Sequence, residues 1–567
     1  MKPIDKIKKL IIFNQLDAYI VPKNDEFFNE YAYPNRLKTI SNFSGSAGFA
    51  IITRSINYLF VDGRYLIQGK NESGKNFKII EIPNLYPKDI LSNNKCKKIG
   101  YDPKLLTSSM IERFFGNNYK LIPIKENLVD KIYKEKENKE NLFYKIHDKI
   151  IGENVNSKIN KLHKELKKDK IDNIFVSAPE NIAWLLNIRG SDNPNSPIPN
   201  ARLIMDKKKN IYFFSNLKKI KNIKKRINYK KIQFYSFESF YNVLSKLDSK
   251  NFLIDGLSCS IFYESLIESK FKIVNYSDPI YNFKSIKNKA EIKNMKSVHI
   301  KDGVALTKFL YWIKQEKNFG FDELFLIKKL EKFRKKNKDY IYPSFNTIAG
   351  SGPNSAVIHY RSSKKTNRKV KKNDIFLCDS GGQYKYGTTD VTRTVCFTKP
   401  SKRIKKIFTL VLKGHIAVVT NNLTKISKGN LIDKKARAPL NKFNLDYGHG
   451  TGHGVGFFSN VHEGPQSISK FNTLKLREGM IVSNEPGYYE EGKFGIRIEN
   501  LVYVEKVKNK LIFRNLTYAP IDKDLIDLSL LNSHEKDYLL KYNLETYKNI
   551  SKFLKKDERK WLLNSIY

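Results

Sequence analysis

Three short stretches of this chain concentrate residue types that can hold metal ions. The first, Asp374–Phe397 (DIFLCDSGGQYKYGTTDVTRTVCF), carries Asp379 and Asp390. It reads as two strands joined through Gly381, Gly382 and Gly387, with Asp379 ending the first strand. In the second strand Asp390 alternates with Val391. It therefore points with Thr392 and Thr394, away from Val391, Val395 and Phe397. Two carboxylates near adjacent strand ends repel each other unless a cation sits between them. A surface Asp pair in a turn is the plainer alternative. The second stretch, Tyr447–Pro465 (YGHGTGHGVGFFSNVHEGP), holds three of the nine histidines, His449, His453 and His462, and six glycines. Such glycine density lets backbone approach a site closely. Neutral imidazole is a good ligand for first-row transition metals, although any one of these histidines has a hydrogen-bonded structural role as its alternative. In the third stretch, Met480–Glu505 (MIVSNEPGYYEEGKFGIRIENLVYVE), Glu485 precedes a Pro-Gly turn. A strand over Ile496–Val504 sets Arg497 and Glu499 on one face, opposite Ile496 and Ile498. A carboxylate on an otherwise apolar strand is costly to bury alone, so either Arg497 or a metal would serve as its partner.

Taken together, Asp379, Asp390, His453, Glu485 and Glu499 are four carboxylates and one imidazole. Like charges at that density push carboxyl pKa values far upward, whereas two divalent cations cancel all four. Oxygen-rich ligation favours Mn²⁺, with Co²⁺, Fe²⁺ or Zn²⁺ as alternatives. Two such ions ~3.5–4 Å apart hold a water between them and turn it into a hydroxide nucleophile near neutral pH.

The elements that must position these residues read as follows. A basic amphipathic helix over about residues 3–15 leads into a strand at Asp17–Pro22. A hairpin-like pair follows, Phe49–Thr53 and Tyr58–Asp62, with Asn42–Gly48 as a loop. Residues 126–158, rich in Lys, Glu and Asn, read as a linker. The same order then recurs. A basic helix (Lys158–Lys170) precedes a strand (Asp172–Val176) and a second hairpin-like pair (Leu203–Met205, Ile211–Phe214), which suggests internal duplication. Lys287–Phe319 carries apolar residues at helical spacing, with Ala305, Leu306, Phe309 and Leu310 on one face. The tail ends in helical patterns at Ser533–Leu540 and Ser551–Leu563. The fold class is α/β (α+β), divided at 1–152, 153–285, 286–508 and 509–567.

At roughly 150 residues per domain, 567 residues suggest three or four domains. With 40% hydrophobic and 13% aromatic residues, wholesale disorder is excluded. The net charge of +47 raises a nucleic-acid or membrane-surface partner. The charges are spread along the whole chain, however, and Lys far outnumbers Arg, so a drift of composition accounts for them. The basic run Arg361–Lys372 lacks interleaved aromatics for base stacking. Four cysteines without a CxxC pair read as buried hydrophobes in a reducing compartment. The apolar run Leu10–Phe13 is too short for a signal-peptide core, and nothing approaches the ~20 apolar residues that span a bilayer. The expectation is a soluble cytoplasmic protein without a membrane or specific nucleic-acid partner.

The three stretches resemble the pita-bread-fold metallopeptidases, a family that includes methionine aminopeptidases, prolidases and aminopeptidase P. The order Asp, Asp, His, Glu, Glu, with spacings of 11 between the Asps and 14 between the Glus, matches that family's ligand set. The closest resemblance is to the long, three-domain aminopeptidase P type, and it covers nearly the whole chain. Phe43–Gly48 (FSGSAG), Val61–Tyr65 (VDGRY), Ile182–Asp192 (IAWLLNIRGSD), Ile358–Tyr360, Val461–Pro465 (VHEGP) and the tail from Thr517–Ile521 carry it. Prolidases typically have His-Asp where this chain has His462-Glu463. Gly382 stands where alanine is usual.

The resemblance implies two related creatinase-like N-terminal domains, a pita-bread catalytic domain and a short helical extension. It implies an Xaa-Pro aminopeptidase with two divalent metals per subunit. Asp379 would chelate one ion, Asp390 and Glu499 would bridge both, and His453 and Glu485 would complete the second. Glu485 would also be the general acid/base, and His462 would stabilise the oxygen of the scissile carbonyl. His359 and His449 would line the substrate site, with Tyr489 and Arg497 supporting the cluster. Arg64 would reach the site from the neighbouring subunit of a homodimer. The competing expectations are an Xaa-Pro dipeptidase and a non-catalytic peptide- or histone-binding module of the same fold.

Overall fold

The opening helix forms over Pro3–Phe13, and its apolar stripe, Ile4, Ile7 and Ile11, is buried. The computed structural model describes residues 2–31, 33–91, 96–117, 119–133, 141–316 and 320–566. It divides into two units, Met1–Asn282 and Phe283–Tyr567.

The first unit contains two six-stranded sheets. In one, the order is Lys78–Glu81, Asn57–Val61, Phe49–Thr53, Ala18–Pro22, Lys98–Tyr101, Lys120–Pro123. In the other it is Ile232–Tyr235, Ile211–Phe214, Arg202–Asp206, Asn173–Val176, Asn251–Ile254, Lys272–Asn275. Each has the same sense throughout: three central strands pair antiparallel, and parallel strands extend both sides. The repeat legible in the sequence is thus a repeat of topology.

The linker reading of 126–158 is corrected. Residues 134–140 lie outside the described residues. The remainder carries the helix Leu128–Ile132, the short strand Tyr144–Lys145, the helix Asp148–Ile151 and the start of the helix Val155–Lys168. Its apolar anchors are few, but Leu128, Val129, Phe143, Ile146 and Ile151 are all buried. Average composition hides such sparse anchoring.

The second unit opens with the helix Lys289–Gln315. Asn288 caps its first turn and Glu291 returns to the Asn288 backbone. Ala305, Leu306, Phe309 and Leu310 are buried as the spacing predicts, while 317–319 lie outside the described residues. A three-stranded sheet joins Ile348–Ser351, Ile375–Ser380 and Val391–Cys396. A five-stranded sheet runs Glu463–Ile468, Gly452–Gly454, Ile481–Asn484, Asn500–Val507, Lys510–Asn515. The hairpin Gly487–Glu490 with Phe494–Arg497 adds two strands. Helix Lys402–Val419 packs Ile407, Phe408 and Val411 in one core with Ile496 and Ile498. Its Val418 joins Ile432, Val482 and Val502 in another. The tail supplies the helices Ser533–Ile550 and Lys556–Asn564.

Two strand readings change. A small hairpin, Gly382–Tyr384 with Gly387–Thr388, fills the connection after Asp379, so Asp390 stands one residue before its strand rather than inside it. The run Ile496–Val504 is broken at Ile498 and Glu499 into strands of two different sheets. Among the described residues, no helix is long and apolar enough to cross a membrane, and all four cysteines are buried and free.

Candidate metal centre

Asp379 lies on the strand Ile375–Ser380, directly opposite Thr392 of Val391–Cys396. Alternation holds on the second strand: Val391 and Val395 enter the hydrophobic core, while Thr392 and Thr394 face the other way. Thr392 Oγ1 donates to Glu499 Oε2 at 2.8 Å, and Thr394 Oγ1 donates to the Arg497 carbonyl at 2.9 Å. These bonds fix the chain break at Ile498–Glu499 and aim Glu499 at Asp390.

His453 sits in the short strand Gly452–Gly454. A side chain at Gly452 would collide with the Ser483 carbonyl, so glycine is what lets this strand lie so close to its neighbour. His453 Nδ1 is 2.9 Å from the Gly454 carbonyl. With the ring proton there, Nε2 presents its lone pair, 3.5 Å from Asp390 Oδ2 and 3.6 Å from Glu485 Oε1. Ser483 Oγ donates to Glu485 Oε1 at 3.0 Å and accepts from the His453 amide at 2.9 Å. Single ligand atoms of Asp390, His453 and Glu499 lie within 4.8 Å of one another.

The cluster is mostly buried: Asp390 is 4% and Glu499 1% exposed. Burial, with Asp379 and Glu485 beside it, pushes the Asp390 carboxyl far above the usual carboxylate range. Burial, with Asp390, Glu485 and Asp379 beside it, does the same to Glu499. Burial also raises Glu485, against the pull of His453 and Arg497. Two carboxylate oxygens here, Asp379 Oδ1 and Asp390 Oδ1, are buried with no hydrogen-bond partner. Orphaned buried carboxylate oxygens are costly, and cations resolve that cost. The donor set, four carboxylates and one imidazole, suits a divalent pair.

Arg497 is the cation the protein itself supplies. Its Nη2 donates to Asp379 Oδ2 at 2.6 Å, Nε to Thr392 Oγ1 at 3.1 Å and Nη1 to the Tyr489 hydroxyl at 2.6 Å. It pairs with Asp379 and not with Glu499, its neighbour on the expected strand face. Burial pushes the Tyr489 phenol up to about 12. His449 Nε2 lies 2.9 Å from that phenol oxygen, which ties His449 to the cluster through Tyr489 and Arg497. The His462 ring meets His453 edge to face, with centroids 4.3 Å apart.

His359 occupies a half-buried turn, and its neighbours Val357 and Tyr360 pack with Tyr489 and Leu377. Arg64 belongs to the first unit, where Nε and Nη2 bind Asp62 in a fork at 2.9 and 2.8 Å. Next to His462, Glu463 is buried against Lys284, at 3.3 Å, and Lys287. Burial works to raise that carboxyl, and the two lysines outweigh it and hold it below the usual range. Sequence reading missed Thr392, Ser483 and His415. His415 is buried on the helix Lys402–Val419, with Nδ1 3.1 Å from the Asn484 carbonyl, immediately before Glu485. A histidine inside an apolar helix stripe was the available signal. A second acidic group, Cys396, Asp522 and Asp524, is already bridged by Lys314, at 2.9 and 2.8 Å from the two aspartates.

The model of metallopeptidase family M24 matches residues 293–506. Two matches to the creatinase/prolidase N-terminal domain cover 3–132 and 134–291, and the C-terminal region of peptidase M24 covers 509–566. A Laccaria bicolor protein named probable Xaa-Pro aminopeptidase P is 38% identical over 98% of this chain and 92% of its own length. The chain belongs to metallopeptidase family M24. Among solved structures, the X-prolyl aminopeptidase of Caenorhabditis elegans, described as a cytosolic enzyme with a di-nuclear active site, superposes with a TM-score of 0.92. It is 30% identical and covers 100% of this chain and 99% of its own. A prolidase from Thermococcus sibiricus is 27% identical with a TM-score of 0.52, and covers 65% of this chain and 98% of its own.

Proposed function

We propose that this M24 member is a metal-dependent Xaa-Pro aminopeptidase, which releases the N-terminal residue from peptides with proline in second position. The observation that carries the reading is the convergence of Asp379, Asp390, His453, Glu485 and Glu499 around orphaned carboxylate oxygens. The Caenorhabditis elegans neighbour, which matches over the full chain, supports the aminopeptidase over the dipeptidase. The prolidase matches only part of the chain.

Asp379 would hold one ion, Asp390 and Glu499 both, and His453 and Glu485 the second; Mn²⁺ is the first choice for so many oxygens. When bound, the ions supply Lewis acidity and lower the pKa of the attacking water. Glu485 takes a proton from that water and passes it to the leaving proline nitrogen. Burial raises its carboxyl above the usual carboxylate range, which favours its taking up a proton. His462 donates to the developing oxyanion of the scissile carbonyl. His359 and His449 hold the substrate, and Tyr489 and Arg497 fix Asp379. A bond before proline is a tertiary amide with no N–H and restricted geometry, so a pocket shaped for the pyrrolidine ring converts that handicap into selectivity. The reading also includes the division at 152, 285 and 508, a cytoplasmic homodimer, and Arg64 as a substrate contact from the neighbouring subunit.

The deciding experiment is hydrolysis of Arg-Pro-Pro with Mn²⁺, with and without a chelator. Release of free Arg, abolished by chelation, is the expected result. Cleavage of Xaa-Pro dipeptides alone would make the protein a dipeptidase. Absence of both metal binding and peptidase activity would leave a binding module.

A further inference from the structure

Arg393 follows Thr392 on the strand Val391–Cys396 and points to the opposite face. Its side chain is fully buried. A guanidinium so placed ordinarily meets a carboxylate, because an unpaired buried charge is strongly destabilising. Among the described residues, Arg393 forms no ion pair. Its donors go to neutral oxygens instead. Nη1 donates to the carbonyls of Thr392 at 2.8 Å and Glu499 at 2.7 Å. Nη2 donates to Asn500 Oδ1 at 2.9 Å, the Ala519 carbonyl at 2.8 Å and the Tyr542 hydroxyl at 2.8 Å. Nε donates to the Pro520 carbonyl at 2.9 Å.

These acceptors form two groups. Thr392, Glu499 and Asn500 frame the metal centre. Ala519, Pro520 and Tyr542 belong to the C-terminal tail. Tyr542 is buried on the helix Ser533–Ile550, and its hydroxyl also donates to the Ala519 carbonyl at 2.7 Å. The tail therefore grips one end of Arg393, while the other end grips the backbone of a residue assigned to bridge both ions.

We propose that the C-terminal tail positions the metal centre: Tyr542 and the Ala519–Pro520 carbonyls orient Arg393, and Arg393 fixes the backbone at Glu499 so that its carboxylate meets Asp390 and His453. This inference rests on the ligand assignment proposed above. The test is calorimetric titration of Mn²⁺ into the metal-free, full-length protein. Tyr542→Phe removes one hydroxyl and keeps the ring. It is expected to weaken Mn²⁺ binding roughly 10-fold, the size of other outer-shell effects. Lys541→Ala, which removes a solvent-facing ion pair on the same helix, is expected to bind as the wild type does. A Tyr542→Phe protein with wild-type affinity, even one with a lower melting temperature, would overturn the proposal, because a merely structural hydroxyl affects stability alone. Should that variant fail to fold, Arg393→Lys is read by the same criterion. A wild-type protein that binds no Mn²⁺ would remove the ligand assignment, and this inference with it.

Discussion

Arg497 donates to Asp379 Oδ2 at 2.6 Å and leaves Asp379 Oδ1 buried without a partner. One oxygen of the carboxylate is thus fixed by the protein, and the other is open to the proposed cation. Glu499 is likewise held by the protein at one oxygen, Oε2, which accepts from Thr392.

Asp390→Asn and Glu499→Gln keep the side-chain shape and remove one charge each. Both are expected to lower kcat by about 100-fold or more and to reduce bound metal, as loss of a shared ligand should. Metal analysis alongside peptide hydrolysis checks this. Wild-type kcat and metal content in either variant would refute the assignment.

His359→Ala is expected to retain metal and lose turnover, because His359 is assigned to the substrate and not to the ions. Metal content is the deciding measurement: a metal-depleted His359→Ala protein would move His359 into the ligand set.

The five proposed ligands could be singled out in the sequence because ligand chemistry demands residue types that composition seldom brings together. Asp390, Thr392 and Thr394 could be placed on one face by alternation alone. The break at Ile498–Glu499 could not. Alternation runs unchanged through it, with Ile496 and Ile498 still in the core, and only a partner in another strand, Thr392, reveals that the chain changes sheets. Thr392, Ser483 and Arg393 were passed over for a related reason. Their roles are set by neighbours more than 25 residues away in sequence, such as Glu499, His453 and Tyr542, and short-range spacing carries no trace of such contacts. The linker reading failed because a few buried side chains, Leu128 and Phe143 among them, suffice to anchor a polar stretch.

Arg497→Ala leaves Asp379 buried without its cation. In the metal-free protein this is expected to cost about 3–5 kcal/mol, as breaking a buried pair does. Denaturant unfolding in the presence of a chelator measures it. An unchanged midpoint would show that Arg497 does not compensate Asp379.

Acid is expected to destabilise the protein through two buried histidines. Burial lowers His299 to about 4 and His415 to about 3. Between those values and the ordinary histidine pKa of about 6.5 the unfolded chain binds more protons than the folded one. Their contribution is therefore fully present above about pH 6.5, and each group removes about 1.4 kcal/mol per pH unit below it. Denaturation midpoints from pH 7 to pH 5 should fall less steeply for His299→Gln than for the wild type. Parallel slopes would contradict the burial of a neutral His299.

Lys284 and Lys287, which neutralise buried Glu463 beside His462, lie upstream of residue 293, where the match to the peptidase family begins. A proteolytic or recombinant fragment trimmed to that match would strip both lysines and strand Glu463 as a solitary interior anion. A fragment stopped at residue 506 would shed Tyr542 as well. The smallest self-sufficient peptidase half therefore has to begin ahead of Lys284 and run through the last helices.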